Sequence, residues 1–369
     1  MLVHRFGCRF GGAEAYVENL ASVLAVRHDV TVIAFEYDSP LVLPFIPVRL
    51  PRGLPSWLRA LLYARTAARL TRHGFDVVHS HMNGAAGQVH TVHVTPTHHH
   101  LRYRDNRLKR VMAKFSLRKQ AYLALERARF QPGKRAVAVS GRIARQLDEC
   151  GLTNSSVDVI SPGVWPVTPH AATRAAVRQK LGWDDGVVVC LMVARNPLRK
   201  GLHTVLEAAY YLASHIRFVI VGADACAKRA IEDATGKWVS EDPTAKNQFI
   251  SVAPTPDVSA WMQAADIFLH PTREDSFGMA PLEAMAHGLP VVISGPAHCG
   301  LSHALTHERD AFVLHNPYQA DALRAAILRL VGDAELRQRL ALNGRRFARS
   351  RRWETVAEAY EKVYDAVCN

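Results

Sequence analysis

The sequence predicts an α/β protein built from two Rossmann-like, doubly wound units in tandem. Three observations predict it. Short apolar runs rich in β-branched residues alternate with segments of helical period, the pattern of a parallel sheet with crossover helices. That pattern stops at "SPGVWPVTPH" (161–170), which holds three prolines and a glycine, and then starts again. The chain has 369 residues, about twice a typical domain.

In the first unit "MLVHRF" reads as a strand, "GCRFGG" as a loop, "AEAYVENLASVLA" as a helix and "HDVTVIAF" as a strand. "FDVVHSH", "QVHTVHVT", "RAVAVS" and "VDVIS" follow as strands with helical stretches among them. The first strand is short for a buried parallel strand, as it would be if the natural chain began a few residues earlier. In the second unit the order is strand "VVVCLMVA" (187–194), helix "LHTVLEAAYYLA" (202–213), strands "RFVIVG" and "FISVA", helix "VSAWMQAA", strand "DIFLHP", helix "PLEAMAHG" and strand "PVVISG". The chain closes on "WETVAEAYEKVYDAV", an amphipathic helix whose Val356, Tyr360, Val363 and Val367 share a face suited to packing on a core. The expected domains are 1–165, joined by a terminal helix over 352–369, and 166–351.

Hydrophobic residues make up 49% of the chain and charged residues 21%, ordinary globular proportions. The formal net charge of +13 points to a polyanionic partner: nucleic acid, an anionic membrane surface or a phosphorylated substrate. The six cysteines form no CxxC pair and read as reduced thiols of a cytoplasmic protein. The N-terminus lacks the long apolar core of a secretion signal, and no apolar run approaches the roughly 20 residues of a spanning helix. Membrane contact is therefore expected to be peripheral.

The chemistry concentrates in two loops at strand ends, where open α/β sheets bind ligands. In "EDSFGMAPLEAMAHGLPVV" (274–292), Pro281 suits a first helical turn, so a helix is expected to begin between Ala280 and Leu282 and to end before Gly288. The amides from Phe277 through Gly278, Met279 and Ala280 to Leu282 would then offer an anion site. Glu283, placed in that first turn, reads either as a dipole-favoured capping residue or as an acceptor for the two hydroxyls of a ribose. Asp275 could accept from a second polyol. A glycosidase-type acid pair is the weaker reading of these acids, and a metal site weaker still, because hard-metal sites gather more oxygen ligands.

"VARNPLRKG" (193–201) supplies the opposite charge, either as a solvated basic loop or as a phosphate grip. Arg195 offers a planar fork of donors, Lys200 a compact charge, and Arg199 could substitute for either. Gly11 and Gly12, in the loop after the first strand, would let backbone approach a phosphate. Together these pieces fit one ligand, a nucleotide-diphospho-sugar: diphosphate at Arg195, Lys200 and the helix terminus, ribose at Glu283, sugar at Asp275.

On these residues the sequence resembles glycosyltransferase family 4, of the GT-B fold. The family signature is a carboxylate, seven residues and a glutamate around a Phe-Gly turn; here Asp275 through Glu283, followed by "EAMAHGLPVV". The resemblance extends through "FGGAE" (10–14), "SPGV" (161–164), "RNPLRKG" (195–201) and the terminal "W-E-x-V-A-E-x-Y". "LALERARFQPGKRAVAVS" (123–140), "ISPGVWP" (160–166) and "PAHCGLSHAL" (296–305) are similar to the lipopolysaccharide core glucosyltransferases within it. The first signature position is usually Glu, which leaves open whether Asp275 or Glu274 fills it.

The resemblance implies two Rossmann-like domains facing a cleft, with the C-terminal helix returning to the first. It implies retaining transfer of a hexose from a nucleotide sugar, UDP-linked, to a glycan or glycolipid, with neither cofactor nor metal, in lipopolysaccharide or other cell-surface polysaccharide synthesis. His93 matches the family histidine beneath the transferred sugar; the alternative is a strand-end histidine with a structural hydrogen bond. The adjacent histidines 98–100 read as a cationic, mobile acceptor loop. An epimerase or phosphorylase of the same fold is the alternative enzyme. A basic nucleic-acid-binding protein is the alternative outside catalysis, but no nucleic-acid motif is present and nucleic acid is not an expected partner.

The basic segment 101–130 carries a stripe of Leu108, Val111, Met112, Phe115 and Tyr122 flanked by Arg107, Lys109, Arg110, Lys114, Arg118 and Lys119. It reads either as a surface that meets phosphorylated glycolipid or the anionic inner leaflet, or as a helix whose stripe enters the core. The first reading places the protein on the cytoplasmic face of the inner membrane.

Overall fold

The computed structural model describes residues 1–103, 105–153, 157–210, 212–213, 215–239 and 248–368. It divides into two compact units, Met1–Gly163 with Trp353–Asn369, and Val164–Arg352. The terminal helix Trp353–Cys368 thus groups with the first unit. Tyr211, in the helix predicted over 202–213, and Arg104, in the basic segment, lie outside the described residues; the helix itself is Leu202–Ala209.

In the first unit the strands are β1 (Arg5–Phe6), β2 (Val32–Ala34), β3 (Glu36–Tyr37), β4 (Phe45–Pro47), β5 (His79–Ser80), β6 (Val89–Val92), β7 (Arg135–Ala138) and β8 (Asp158–Val159). Leu2 joins the pieces into one parallel sheet. It bridges Ile33 on one side and Ser80 on the other, its amide donating to the His79 carbonyl at 2.8 Å and its carbonyl accepting from His81 N at 2.9 Å. The order is therefore β4, β2, Leu2, β5, β6, β7, β8. The predicted first strand is split: Leu2 lies inside the sheet, while Arg5–Phe6 turns aside to pair with Glu36–Tyr37. Alternation across the pleat explains the packing. Leu2 enters a cluster with Ile33, Val48 and Tyr63, and the next residue, Val3, enters a separate one with Val17, Val32 and Ala34.

The terminal helix is tied to this sheet by hydroxyls as well as by its apolar face. Tyr360 Oη lies 2.8 Å from Tyr16 Oη and 2.7 Å from Thr91 Oγ1; Thr91 Oγ1 lies 2.7 Å from His79 Nε2; His79 Nδ1 lies 2.8 Å from Tyr364 Oη. Trp353, Val356, Ala357, Tyr360 and Val363 are buried.

In the second unit six parallel strands, β9 (Val188–Val193), β10 (Ile216–Val221), β11 (Phe249–Val252), β12 (Ile267–His270), β13 (Val291–Ser294) and β14 (Phe312–Leu314), run in the order β11-β10-β9-β12-β13-β14. Read by position this is the Rossmann order 3-2-1-4-5-6, whose direction reverses between β9 and β12. Cys190, Met192, Phe218, Ile220 and Leu269 share one core with Leu206, Ile327 and Leu330 of the covering helices, while Val189, Leu191, Val219 and Phe268 are buried too. Both faces are covered, which is why these strands are continuous apolar runs. At the unit's two ends Val164 pairs with Arg352, and Val164 N donates to Arg351 O at 2.8 Å.

Tyr360→Phe removes one hydroxyl from the buried chain and leaves Tyr16 and Thr91 short of a partner. We expect a loss of about 1–2 kcal/mol in equilibrium urea unfolding; an unchanged midpoint would show that the chain of hydroxyls contributes nothing to holding the terminal helix.

Candidate functional site

The loops that leave β9 and β12 meet at the strand-order reversal of the second unit. Gly201 ends the first loop with φ +95°, and a Cβ there would sit 2.0 Å from the carbonyl oxygen of Pro271, which opens the second. Only a glycine lets the two backbones approach so closely. Lys200 precedes it, with Nζ 2.6 Å from Oδ2 of Asp275 and 3.3 Å from the carbonyl oxygen of Glu274. His270, the last residue of β12 and buried, brings Nε2 to 3.0 Å from the same Oδ2.

The backbone of this second loop is held by the segment after β13. Asp275 N donates to His298 O at 2.7 Å and Gly300 N to Asp275 O at 3.2 Å; the Cys299 thiol and Leu301 N both donate to Phe277 O. Gly278, at φ +109°, then caps the helix Met279–Ala286, and a Cβ on it would press on Cys299 Sγ at 2.9 Å. Phe277 is buried.

This geometry corrects two expectations. The helix starts at Met279, one residue before the expected range, so Pro281 is its third residue and Glu283 its fifth, beyond the first turn. The chain bends into left-handed backbone at Gly278, and that bend, rather than proline, sets the start. The dipole-capping reading of Glu283 loses its basis. The free amides are fewer than expected as well: Phe277 N donates to Asp275 Oδ1 at 3.4 Å, Leu282 N to Gly278 O, and Pro281 has none, which leaves Gly278, Met279 and Ala280 without an intrahelical acceptor.

The carboxylates differ in environment. Burial by itself would raise the Asp275 carboxyl, but the His270 hydrogen bond and the Lys200 charge outweigh it and hold the group well below the usual range. Burial lowers His270 despite Asp275, so the ring is neutral and donates through Nε2, leaving Nδ1 buried without a partner among the described residues. Glu283 is half-buried, accepts no hydrogen bond on its carboxylate from the described residues, and is raised by desolvation. Arg195 and Arg199 are exposed on the first loop, where Arg199 N donates to Asn196 Oδ1. Asp275 and Lys200 are brought together directly; Glu274 joins them through its backbone. Among the described residues no three His, Cys, Asp or Glu side chains gather as a metal site.

In the first unit Gly12 is the first residue of the helix Gly12–Leu24 and Gly11 its N-cap in extended backbone, not a loop pair as expected; a Cβ at Gly12 would meet nothing within 4 Å. His93 follows β6. Its Nε2 lies 2.8 Å from His81 Nδ1 and its ring meets Tyr16 edge-on at 4.9 Å. Burial, then the charge of Arg129, pushes His93 down to about 3, so it is a neutral donor or acceptor. His98, His99 and His100 are not a mobile loop: they lie in the helix Thr97–Tyr103 and meet Glu126 at 2.6 Å, Glu149 at 3.0 Å and Asp105 at 3.8 Å.

The basic segment forms two helices, Arg107–Phe115 and Leu117–Arg129, broken at Ser116, whose hydroxyl accepts from Lys119 N. The stripe does not enter the core: Leu108 is 68% and Phe115 83% exposed, with Val111 and Met112 also exposed. No described helix is long and apolar enough to cross a membrane.

Comparison with known proteins finds likeness over nearly the whole chain. The family described as Glycosyltransferase Family 4 matches residues 10–166, and that described as Glycosyl transferases group 1 matches residues 173–347. The chain belongs to the family 4 glycosyltransferases. It is 26% identical over 361 residues to the lipopolysaccharide glucosyltransferase WaaG of Escherichia coli K12, covering 92% of this chain and 91% of that one. It is 29% identical to a D-inositol 3-phosphate glycosyltransferase of Acidothermus cellulolyticus, covering 96% and 85%. Among solved structures, WaaG superposes with a TM-score of 0.81 at 23% identity, covering 99% and 98%. Anabaena HepE, solved with UDP-glucose, superposes with a TM-score of 0.74 at 16% identity, covering 99% of each chain. These likenesses show the GT-B fold.

Sequence reasoning about this glycosyltransferase missed His270, Gly201 and Cys299. The available signal for His270 was a polar residue closing an otherwise apolar strand, "DIFLH". Nothing in the sequence announced the buried histidines 79 and 81 as one group with His93; His90 is buried apart from them, its Nε2 3.0 Å from Gly87 O.

All four are held below their ordinary value of 6.5, by burial first. Unfolded, they take up protons near pH 6.5; folded, His93 does so only near 3. Between those values the unfolded chain binds more protons, so stability is full above pH 6.5 and falls as the pH drops. We expect the unfolding free energy in urea to decline from pH 7 to pH 5, and His93→Asn to flatten that decline by on the order of 1 kcal/mol. Parallel pH curves for the two proteins would contradict it.

Proposed function

We propose that this glycosyltransferase moves a hexose, with retention, from a UDP-sugar to a glycan or glycolipid of lipopolysaccharide or another cell-surface polysaccharide. One observation carries the donor reading: an ammonium with one donor to spare stands beside a helix start with unsatisfied amides, at the reversal point of a Rossmann sheet. A diphosphate meets complementary charge there from Lys200, Arg195 and the amides of Met279 and Ala280. Glu283, half-buried and unpaired among the described residues, suits the two hydroxyls of a ribose. The name of the Escherichia coli relative supports a glucosyl donor and a lipopolysaccharide acceptor, and the UDP-glucose bound to HepE supports the nucleotide.

Chemically, the C1–O bond to the diphosphate breaks as the acceptor oxygen bonds to C1 on the same face. The leaving phosphate oxygen takes the acceptor proton. Positive groups fixed before the reaction stabilise the charge developing on the diphosphate, the task that a metal performs in other transferases. His93 is neutral and its Nδ1 has no protein partner among the described residues, so it offers the first unit a group for a sugar hydroxyl. An epimerase would turn over the nucleotide sugar without a sugar acceptor, and a phosphorylase would require orthophosphate, which separates both from this reading.

Lys200→Ala is expected to weaken UDP binding at least tenfold by calorimetry. It should also lower acceptor-dependent UDP release from UDP-glucose on the order of 100-fold. Glu283→Ala should raise the donor KM by about tenfold with a smaller change in kcat. UDP binding equal to wild type in both variants would remove the donor site from these loops.

We also infer that the exposed apolar row of the helix Arg107–Phe115, flanked by Arg107, Lys109, Arg110 and Lys114, rests on an anionic lipid surface where a glycolipid acceptor resides. Each basic residue near such a surface adds about 1 kcal/mol. Sedimentation with phosphatidylglycerol vesicles should exceed that with phosphatidylcholine vesicles, and Leu108→Ser with Phe115→Ser should reduce it. Equal sedimentation with both lipids would defeat the electrostatic claim.

A further inference from the structure

We propose that His270 is a positioning residue of the donor site: its Nε2–H fixes Oδ2 of Asp275, and through that oxygen it fixes the ammonium of Lys200. This inference rests on the donor-site reading above and adds a residue to it.

The argument is a count of donors and acceptors. An ammonium has three N–H groups. On Lys200 one goes to Asp275 Oδ2 at 2.6 Å and a second to Glu274 O at 3.3 Å, which leaves a third. Where that third points depends on where the first two are held. Glu274 O belongs to backbone anchored by the adjacent Asp275 bonds to His298 and Gly300. Asp275 Oδ2, by contrast, sits at the end of a side chain that can rotate. Its sister Oδ1 has only a long contact, 3.4 Å, from Phe277 N. The 3.0 Å bond from His270 Nε2 is the remaining constraint on that carboxylate.

His270 is itself immobile. It closes β12, its side chain is 2% exposed, and Ser294 Oγ donates to its carbonyl oxygen at 3.3 Å. Among the described residues its buried Nδ1 has no partner, so the ring makes a single side-chain hydrogen bond there, the one to Asp275. A phenylalanine or leucine would fill a strand end without leaving a nitrogen unsatisfied, so what the imidazole adds here is that one N–H. A neutral donor also suits the task. It orients the carboxylate without adding a second cation that would compete with Lys200 for it. Asp275 in turn is left with Oδ1 able to accept from a sugar hydroxyl.

The test uses the full chain. Lys200 is acylated with acetic anhydride in the absence of substrate and its rate is read by peptide mass spectrometry, with exposed Lys109 and Lys228 as internal references. H270F keeps a ring without the N–H, and H270L serves should the phenyl not fit; H270Q restores an N–H. We expect Lys200 to react at least threefold faster in H270F or H270L, with the reference lysines unchanged, and at the wild-type rate in H270Q. The UDP dissociation constant should rise about tenfold in the first pair and return towards wild type in H270Q. Equal Lys200 rates in all proteins, or H270Q behaving as H270F does, would overturn the proposal. Protection of wild-type Lys200 by UDP is read separately. Its absence would defeat the donor-site reading, while the substrate-free rates would still decide the role of His270.

Discussion

The reversal of strand order between β9 and β12 is the constraint on which the donor site depends. On either side of it the crossover helices lie on opposite faces of the sheet, so the two loops diverge from neighbouring strand ends and leave backbone groups uncovered. Here the divergence is checked at one point, where Gly201 backs onto the Pro271 carbonyl. That contact puts Lys200 beside the Glu274–Asp275 step. The hydrogen bonds from the 298–301 segment then fix the step from the other side. Three loops that are distant in sequence become one rigid edge, and the charges on it need little rearrangement to meet a ligand.

The ion pair at that edge is not there to stabilise the fold. Asp275 and Lys200 are 18% and 26% exposed. Pairing at such depth roughly offsets the desolvation of the two groups, and well-packed apolar residues would serve stability as well. What the pair provides is direction. The same distinction applies in the first unit, where the hydroxyl and imidazole chain from Tyr16 through Tyr360, Thr91 and His79 to Tyr364 satisfies nearly every polar atom it buries. That chain makes the terminal helix a specific partner of β5 and β6. A purely apolar face would hold the helix without fixing its rotation.

Sequence alone exposed the elements whose signal is local and periodic. Five of the six strands of the second unit stand out as apolar runs, the short β14 (Phe312–Leu314) being missed, and Lys200, Asp275 and Glu283 lie in runs whose residue types already imply phosphate and hydroxyl chemistry. It misjudged what tertiary contacts decide. The start of the Met279 helix follows from a left-handed glycine pressed on Cys299, a contact 21 residues away in sequence. The three histidines 98–100 became helical because Glu126 accepts from the amides of Thr97 and His98 and from the His98 ring. The stripe from Leu108 to Tyr122 was read as continuous because Ser116 is a tolerable helix residue; its hydroxyl instead caps a new helix. His270 stayed hidden because a single polar residue at a strand end carries no period.

The geometry also bears on the aspartate that stands where the signature usually has glutamate. Both acids of the 274–275 pair lie on the same loop, but only Asp275 turns its carboxylate onto Lys200 and His270; Glu274 reaches Lys200 through its carbonyl oxygen. The short side chain matters to that division. A carboxylate one methylene from a backbone clamped to His298 and Gly300 cannot travel far, so its two oxygens keep separate surroundings, one on the lysine and histidine, the other on little besides a distant amide. A glutamate would carry the same charge on a longer lever with one more rotatable bond, and the ordering of the carboxylate would then be left to the ligand. Aspartate with a histidine behind it achieves that ordering before any ligand arrives, which is the condition under which fixed charges contribute most to a transition state.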